Sequence, residues 1–189
     1  MADYADRPDN VLRFDRLFAG PPALVFAMWT RPELVSVWFA CSHGFRAEVR
    51  ELDPRPGGFW RLVNRRGEVT EFPWGVYHEV IADRRIAYSY FYEGTDFRST
   101  VSVDLTPEGA GTRMRFCQTG FPDAESHREH GRGWPVAFRL FEQALLGAHG
   151  IGATLPNLPK KVMDGVARDL EEARARHEAE QERSTRPGR

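Results

Sequence analysis

Three places along the chain bring together side chains capable of acid–base or metal chemistry. His127 and His130 stand three apart with Glu125 and Glu129 beside them, a spacing that sets both imidazoles on one face of a helix. Two imidazoles fall short of the ligand set that zinc takes, so no metal is expected and a solvated helix start is the plainer reading. Cys41 and His43 stand two apart, close enough for a thiolate–imidazole pair, but no third group is placed to orient them. His78-Glu79 lacks the second histidine four residues on that a His-Glu-x-x-His site requires. A Gly-x-Ser-x-Gly nucleophile turn and a phosphate-cradling Gly-Lys-Ser/Thr loop are also missing, and no cofactor is expected. No catalytic residue is assigned on this basis.

The aromatic residues form the stronger pattern. Trp38 falls on a short helical segment and Phe39 follows it, while Trp60, Trp74, Tyr88, Tyr90 and Phe116 fall in segments of strand period. Trp134 and Phe138 stand four apart on a late helix. Together they form either a close-packed core or the wall of an apolar ligand site. His78, Tyr88, Tyr90 and Gln118 supply polar tips, and a buried polar group needs a partner or costs roughly 1–3 kcal/mol. A ligand, the backbone or water would serve.

These residues sit in a chain of 189, of which 41% are hydrophobic and 28% charged, a globular balance. With 26 basic against 27 acidic residues, no single-sign field is available to hold nucleic acid. No run reaches the roughly 18 apolar residues of a membrane helix. The two cysteines build no disulfide framework, and with no apolar signal core at Met1–Asn10 the expected location is the cytoplasm.

The elements that must position the aromatics follow from periodicity. Val11 to Ala19 alternates as a strand; Gly20-Pro21-Pro22 then opens a short helix carrying Leu24, Val25, Met28 and Trp29, and Thr30-Arg31-Pro32 restarts a second with Leu34, Val35 and Trp38. From Phe45 to Thr119 the period is two, with strands expected over 45–52, 59–64, 71–81, 86–92, 98–105 and 112–119 and turn residues between them. Trp74 and Val76 lie on one parity and Tyr77 and Ile81 on the other, so a bulge is expected near Gly75. After Asp123, a fitting N-cap, Trp134, Phe138, Phe141 and Leu145 form the apolar stripe of a long helix that Gly131, Gly133 and Pro135 would weaken or kink. The expectation is an α+β domain: an antiparallel sheet of about seven strands packed on one long helix.

The ends differ in character. Residues 1–10 are expected to be a disordered N-terminus, 11–148 the domain, 149–159 a linker, 160–183 a charged amphipathic helix and 184–189 a disordered tail. Val162, Val166 and Leu170 give that last helix a narrow apolar seam suited to the sheet domain or to a partner, with a homodimer one outcome.

Four blocks of sequence resemble a known family. They are Pro22-Ala23-Leu24-Val25-Phe26-Ala27-Met28-Trp29-Thr30-Arg31-Pro32-Glu33; Asp53-Pro54-Arg55-Pro56-Gly57-Gly58-Phe59-Trp60; Trp74-Gly75-Val76-Tyr77-His78-Glu79-Val80; and Thr119-Gly120-Phe121-Pro122 followed by His130, Gly133 and Trp134. In order and at strand-length spacing, they resemble the SRPBCC (START/Bet v 1-like) superfamily, in the branch named after the activator of heat shock protein 90 ATPase. The resemblance implies a helix-grip fold, in which a curved sheet wraps the C-terminal helix around a cavity and two short helices close one end. Members often carry a second Trp and then Gly-Pro after the first Trp, where this chain has Phe39-Ala40-Cys41-Ser42-His43 after Trp38.

It also implies a protein that binds a small hydrophobic or amphipathic molecule. Trp38, Phe39, Trp60, Trp74, His78, Tyr88, Tyr90, Phe116, Gln118, Trp134 and Phe138 are the expected ligand-binding residues. Two alternatives stand beside it. One is a cyclase, dehydratase or hydrolase of the same fold using Tyr88, Tyr90, His78 and Glu79 as acid and base. The other is a co-chaperone or interaction protein acting through the extra C-terminal helix.

Overall fold

A computed structural model of the chain describes residues 10–39 and 44–148. Cys41, His43, residues 1–9 and the expected linker, charged helix and tail lie outside the described residues.

Strand β1 (Val11–Ala19) leads into two short helices, α1 (Pro22–Thr30) and α2 (Pro32–Trp38). Pro22 and Pro32 open them, at positions whose N–H groups have no helical partner. The helices lock together through the Trp38 indole, whose Nε1 donates to the Met28 carbonyl at 2.8 Å. Seven further strands follow: β2 (Arg46–Leu52), β3 (Phe59–Arg66), β4 (Val69–Glu71), β5 (Pro73–Ile81), β6 (Arg85–Tyr92), β7 (Arg98–Glu108) and β8 (Gly111–Thr119). The long helix α3 (Ala124–Ala148) closes the domain. Every strand pairing is antiparallel, and the sheet runs β1-β8-β7-β6-β5-β3-β2 with β4 folded back on β3. The chain is therefore α+β, with a curled sheet around one long helix as the sequence implies.

The expected strand over 71–81 is two strands. Glu71 pairs back to Asn64 in β4, and the chain restarts at Pro73, which has no N–H to continue a ladder. The expected bulge also moves. The register shift falls between Tyr77 and Glu79, not at Gly75, so Trp74 and Val76 stay on the outer face. Tyr77 turns inward opposite Tyr88, and beyond the bulge Val80 faces inward opposite Ile86 while Ile81 is left 45% exposed.

Gly75 has a different duty. The Trp60 indole lies over it and donates to the Ser89 carbonyl at 3.0 Å, where a Cβ on residue 75 would stand 1.7 Å from that oxygen.

Helix α3 starts as its sequence suggests, with Asp123 Oδ1 accepting from the Ser126 N–H at 2.7 Å. It continues through Gly131, Gly133 and Pro135 to Ala148. Trp134, Phe138, Phe141 and Leu145 are all buried against the concave face of the sheet, where Phe18, Met114 and Phe116 receive them. At its start, Asn10 bonds both ways with the Phe121 backbone (2.7 and 3.1 Å), which ties β1 to the β8–α3 connection.

Candidate functional site

Beneath the two short helices the interior is filled. Trp29 meets Trp38 edge-on at 4.6 Å, Trp38 meets Phe141 at 5.0 Å, and Phe116 lies 4.4 Å from Trp134 and 5.4 Å from Phe138. A space of about 20 Å³ lies there among Trp60, Tyr77, Tyr88 and the α1–α2 aromatics, enough for one water. The Tyr88 hydroxyl and the Trp29 Nε1 are buried in this region with no hydrogen-bond partner.

The fold opens at the other end of α3. A cleft of about 750 Å³ runs between the first half of that helix, the β3–β4 hairpin and the β6–β7 hairpin. Its wall is aromatic: Phe39 from the end of α2 stacks on Tyr90, Tyr90 meets Tyr92, and Phe97 lies flat on the His130 ring at 4.9 Å and 8°. Trp134 forms the inner end. Its indole is held by a short polar chain in which Trp134 Nε1 donates to Gln118 Oε1 at 2.6 Å and Gln118 Nε2 donates to Ser99 Oγ at 2.9 Å.

Polar groups line the same space. The Tyr90 and Tyr92 hydroxyls are 3.1 Å apart. Burial first, and then the Glu71 and Glu129 carboxylates, push the Tyr92 phenol up to about 12, so it stays protonated. Burial holds His130 below the ordinary imidazole range, which keeps the ring neutral near pH 7. Its Nδ1 sits 2.9 Å from the Ser126 carbonyl and must carry the proton, leaving Nε2 as an acceptor, buried and without a partner. Asn64 is 2% exposed, and its Oδ1 also has no partner. Chemically, the cleft can clasp an apolar body and satisfy donors on it.

The expected site residues distribute unevenly over this geometry. Phe39, Tyr90 and Trp134 line the cleft. Trp38, Trp60 and Tyr88 border the small inner cavity, and Phe116 and Phe138 are core. The polar tip of Gln118 is spent on Ser99 and Trp134.

Two placements correct the sequence expectation. Trp74 packs on Phe91 across the outer face, and His78 is exposed at the bulge, because the register shift lies between Tyr77 and Glu79 rather than at Gly75. Glu79, a candidate base, is held by Arg85 at 2.7 Å. Nor is the start of α3 simply solvated: His127 packs on Phe121 at 5.0 Å and His130 on Phe97. Among the described residues no cluster of three metal-ligating side chains occurs.

Asn64, Tyr92, Phe97 and His130 also line the cleft, beyond the residues expected from the sequence. Asn64 continues the inward parity of Trp60 and Leu62, and Tyr92 that of Tyr88 and Tyr90, so both were legible by alternation. Phe97 sits in a turn, where no periodicity marks it.

Comparison with known proteins agrees with this architecture. Residues 19–145 match the model of the family described as Activator of Hsp90 ATPase homolog 1-like protein, which is more than half of the chain. The chain belongs to this family. Among solved structures, CV1439 from Chromobacterium violaceum is 23% identical with a TM-score of 0.68, over 72% of this chain and 96% of that one. NE0264 from Nitrosomonas europaea is 24% identical with a TM-score of 0.63, over 74% and 96%. A protein from Rhizobium leguminosarum is 26% identical with a TM-score of 0.60, over 71% and 93%. None of the curated proteins compared with the chain matches it. Membership of the Activator of Hsp90 ATPase homolog 1-like family supports a ligand-binding helix-grip fold. No helix among the described residues is long and apolar enough to cross a membrane.

Proposed function

We propose that the protein binds an amphipathic small molecule in the cleft between α3 and the two hairpins. One observation carries this reading: an open space of about 750 Å³ with an aromatic wall, whose lining residues Asn64 and His130 each hold a buried acceptor without a protein partner. Ligand sites are concave, largely apolar and supplied with a few polar groups that fix orientation. The packed interior around Trp38 and Phe116 supports a ligand held at the mouth of the grip rather than deep within it.

The test is a titration of the full-length protein with N-phenyl-1-naphthylamine, whose fluorescence rises in apolar surroundings, alongside native mass spectrometry. Saturable enhancement at micromolar probe is expected, and Phe39→Ala, which removes one wall ring, weakens it about 10-fold. No saturable signal up to about 100 μM, together with a bare native mass, would overturn the reading. The same spectrum reads the oligomeric state, for which a homodimer remains a proposal. A cytoplasmic setting rests on composition alone, with two cysteines suited to a reducing compartment.

A second reading, acid–base turnover of the bound molecule, draws on the neutral His130 and its unpartnered Nε2 rather than on His78 or Glu79. Turnover abolished by His130→Gln with binding retained would favour it. The co-chaperone alternative draws on residues 160–183, outside the described residues.

A further inference from the structure

We infer that the cleft selects a protonated amine: an ammonium head on an aromatic or alkyl body. This rests on the proposed binding role and narrows it to a chemical class. Asn64 and His130 line the cleft, and the buried, unpartnered atom of each, Asn64 Oδ1 and His130 Nε2, is an acceptor. A buried acceptor is satisfied only by a donor, and a ligand seated against these two residues is placed to bring one. An ammonium group brings up to three N–H donors, an alcohol one and a carboxylate none.

Charge points the same way. Among the described residues lining the cleft, Glu71, Glu93, Asp96, Asp123 and Glu129 carry carboxylates, against the single guanidinium of Arg66, which lies over the Phe45 ring. Asp123 is held ionised by the Ser126 N–H that it caps. The fields of Glu71 and Glu129 reach the wall itself, since both disfavour ionisation of Tyr92. An anionic head would enter against this field. A cation is drawn in by it and can lie against the faces of the aromatic wall.

The experiment uses three ligands of one shape and different heads: 2-(2-naphthyl)ethylammonium, 2-(2-naphthyl)ethanol and 3-(2-naphthyl)propanoate. Each is titrated calorimetrically into the full-length protein at near-neutral pH. The ammonium is expected to bind about 10-fold more tightly than the alcohol and about 100-fold more tightly than the carboxylate. Raising salt from about 0.05 M to about 0.5 M should weaken the ammonium several-fold and leave the alcohol unchanged. Asn64→Leu should shrink the preference for ammonium over alcohol, and Glu129→Gln, an exposed change that threatens no packing, should lower ammonium affinity about 2- to 5-fold.

Equal or tighter binding of the alcohol or the carboxylate would overturn amine selection while leaving the cleft a ligand site. Ammonium binding unmoved by salt and by both variants would also overturn it, because the amine would then be seated elsewhere. Failure of all three compounds to bind would remove both the selection and the binding role.

Discussion

Tyr88 shows how a single buried atom separates structural from functional readings of the aromatic set. Its ring is core, edge-on to Trp60 at 5.4 Å and to Tyr77 at 5.9 Å, but its hydroxyl has no partner in the protein. Burial raises its pKa well above that of the ordinary phenol, so at neutral pH it is an uncharged donor without an acceptor. A polar group stranded in this way costs roughly 1–3 kcal/mol. Tyr88→Phe keeps the ring and deletes the stranded atom, and is expected to leave stability unchanged or raise it by about 1 kcal/mol in urea denaturation. A loss of similar size would instead mean that a bound water or ligand completes the hydroxyl. At Gly75 the expectation has the opposite sign. A Cβ there would stand 1.7 Å from the Ser89 carbonyl oxygen and 2.5 Å from the Trp60 Nε1. Gly75→Ala must break the Trp60–Ser89 bond or spread β5 from β6, and is expected to cost about 3 kcal/mol, read as a lower urea midpoint.

Helix α3 carries two loads along its length. Phe138, Phe141 and Leu145 in its second half hold the core, whereas Ser126, Glu129 and His130 in its first half face the cleft. Trp134 stands between the two, and its bond to Gln118 couples them. Trp134→Phe would leave Gln118 Oε1 buried without a donor, at a cost of about 1–3 kcal/mol in stability. The same change should weaken ligand binding, because the inner end of the cleft loses its largest ring; parallel denaturation and probe titration test both. The apolar stripe of α3 was legible because helical period repeats one signal several times, and the strands were legible for the same reason at period two. The 71–81 segment was misread because alternation is indifferent to where a ladder breaks. Only Pro73 marked the split, and a bulge at His78 reverses parity without leaving a trace in composition. The cleft was half legible. Phe39, Tyr90 and Trp134 were named from their type, whereas Phe97 joins them only because a hairpin folds it against α3. His130 drew notice for metal chemistry that its aromatic surroundings do not provide.

For the whole molecule, the neutral His130 makes folding stability depend on pH in a defined window. Burial, reinforced by the neighbouring His127, holds its folded-state value below the ordinary 6.5 that it has in the unfolded chain. Between the two values the unfolded chain binds a proton that the folded protein refuses, so stability rises with pH there. The contribution is therefore fully present above about pH 6.5 and is lost as pH falls toward the depressed folded value. The carboxylates that folding favours in ionised form act in a lower window: Glu108 is held below 4.5 chiefly by Arg113, and Asp123 below 3.8 chiefly by the Ser126 backbone. Acidification from about pH 7.5 to about pH 5.5 thus tests the imidazole with little interference from those groups. The melting temperature of the native sequence should fall over that range. In His130→Phe, which keeps a flat ring against Phe97 but cannot be protonated, the fall should be clearly shallower. The same titration has a binding counterpart. Protonating Nε2 removes the acceptor offered to an amine and adds a positive charge beside it, so ammonium affinity should decline in step with stability while alcohol affinity declines less. A native sequence whose melting temperature is flat between these pH values would show that the folded protein takes up the proton as readily as the unfolded chain, and that the cleft does not keep a neutral imidazole.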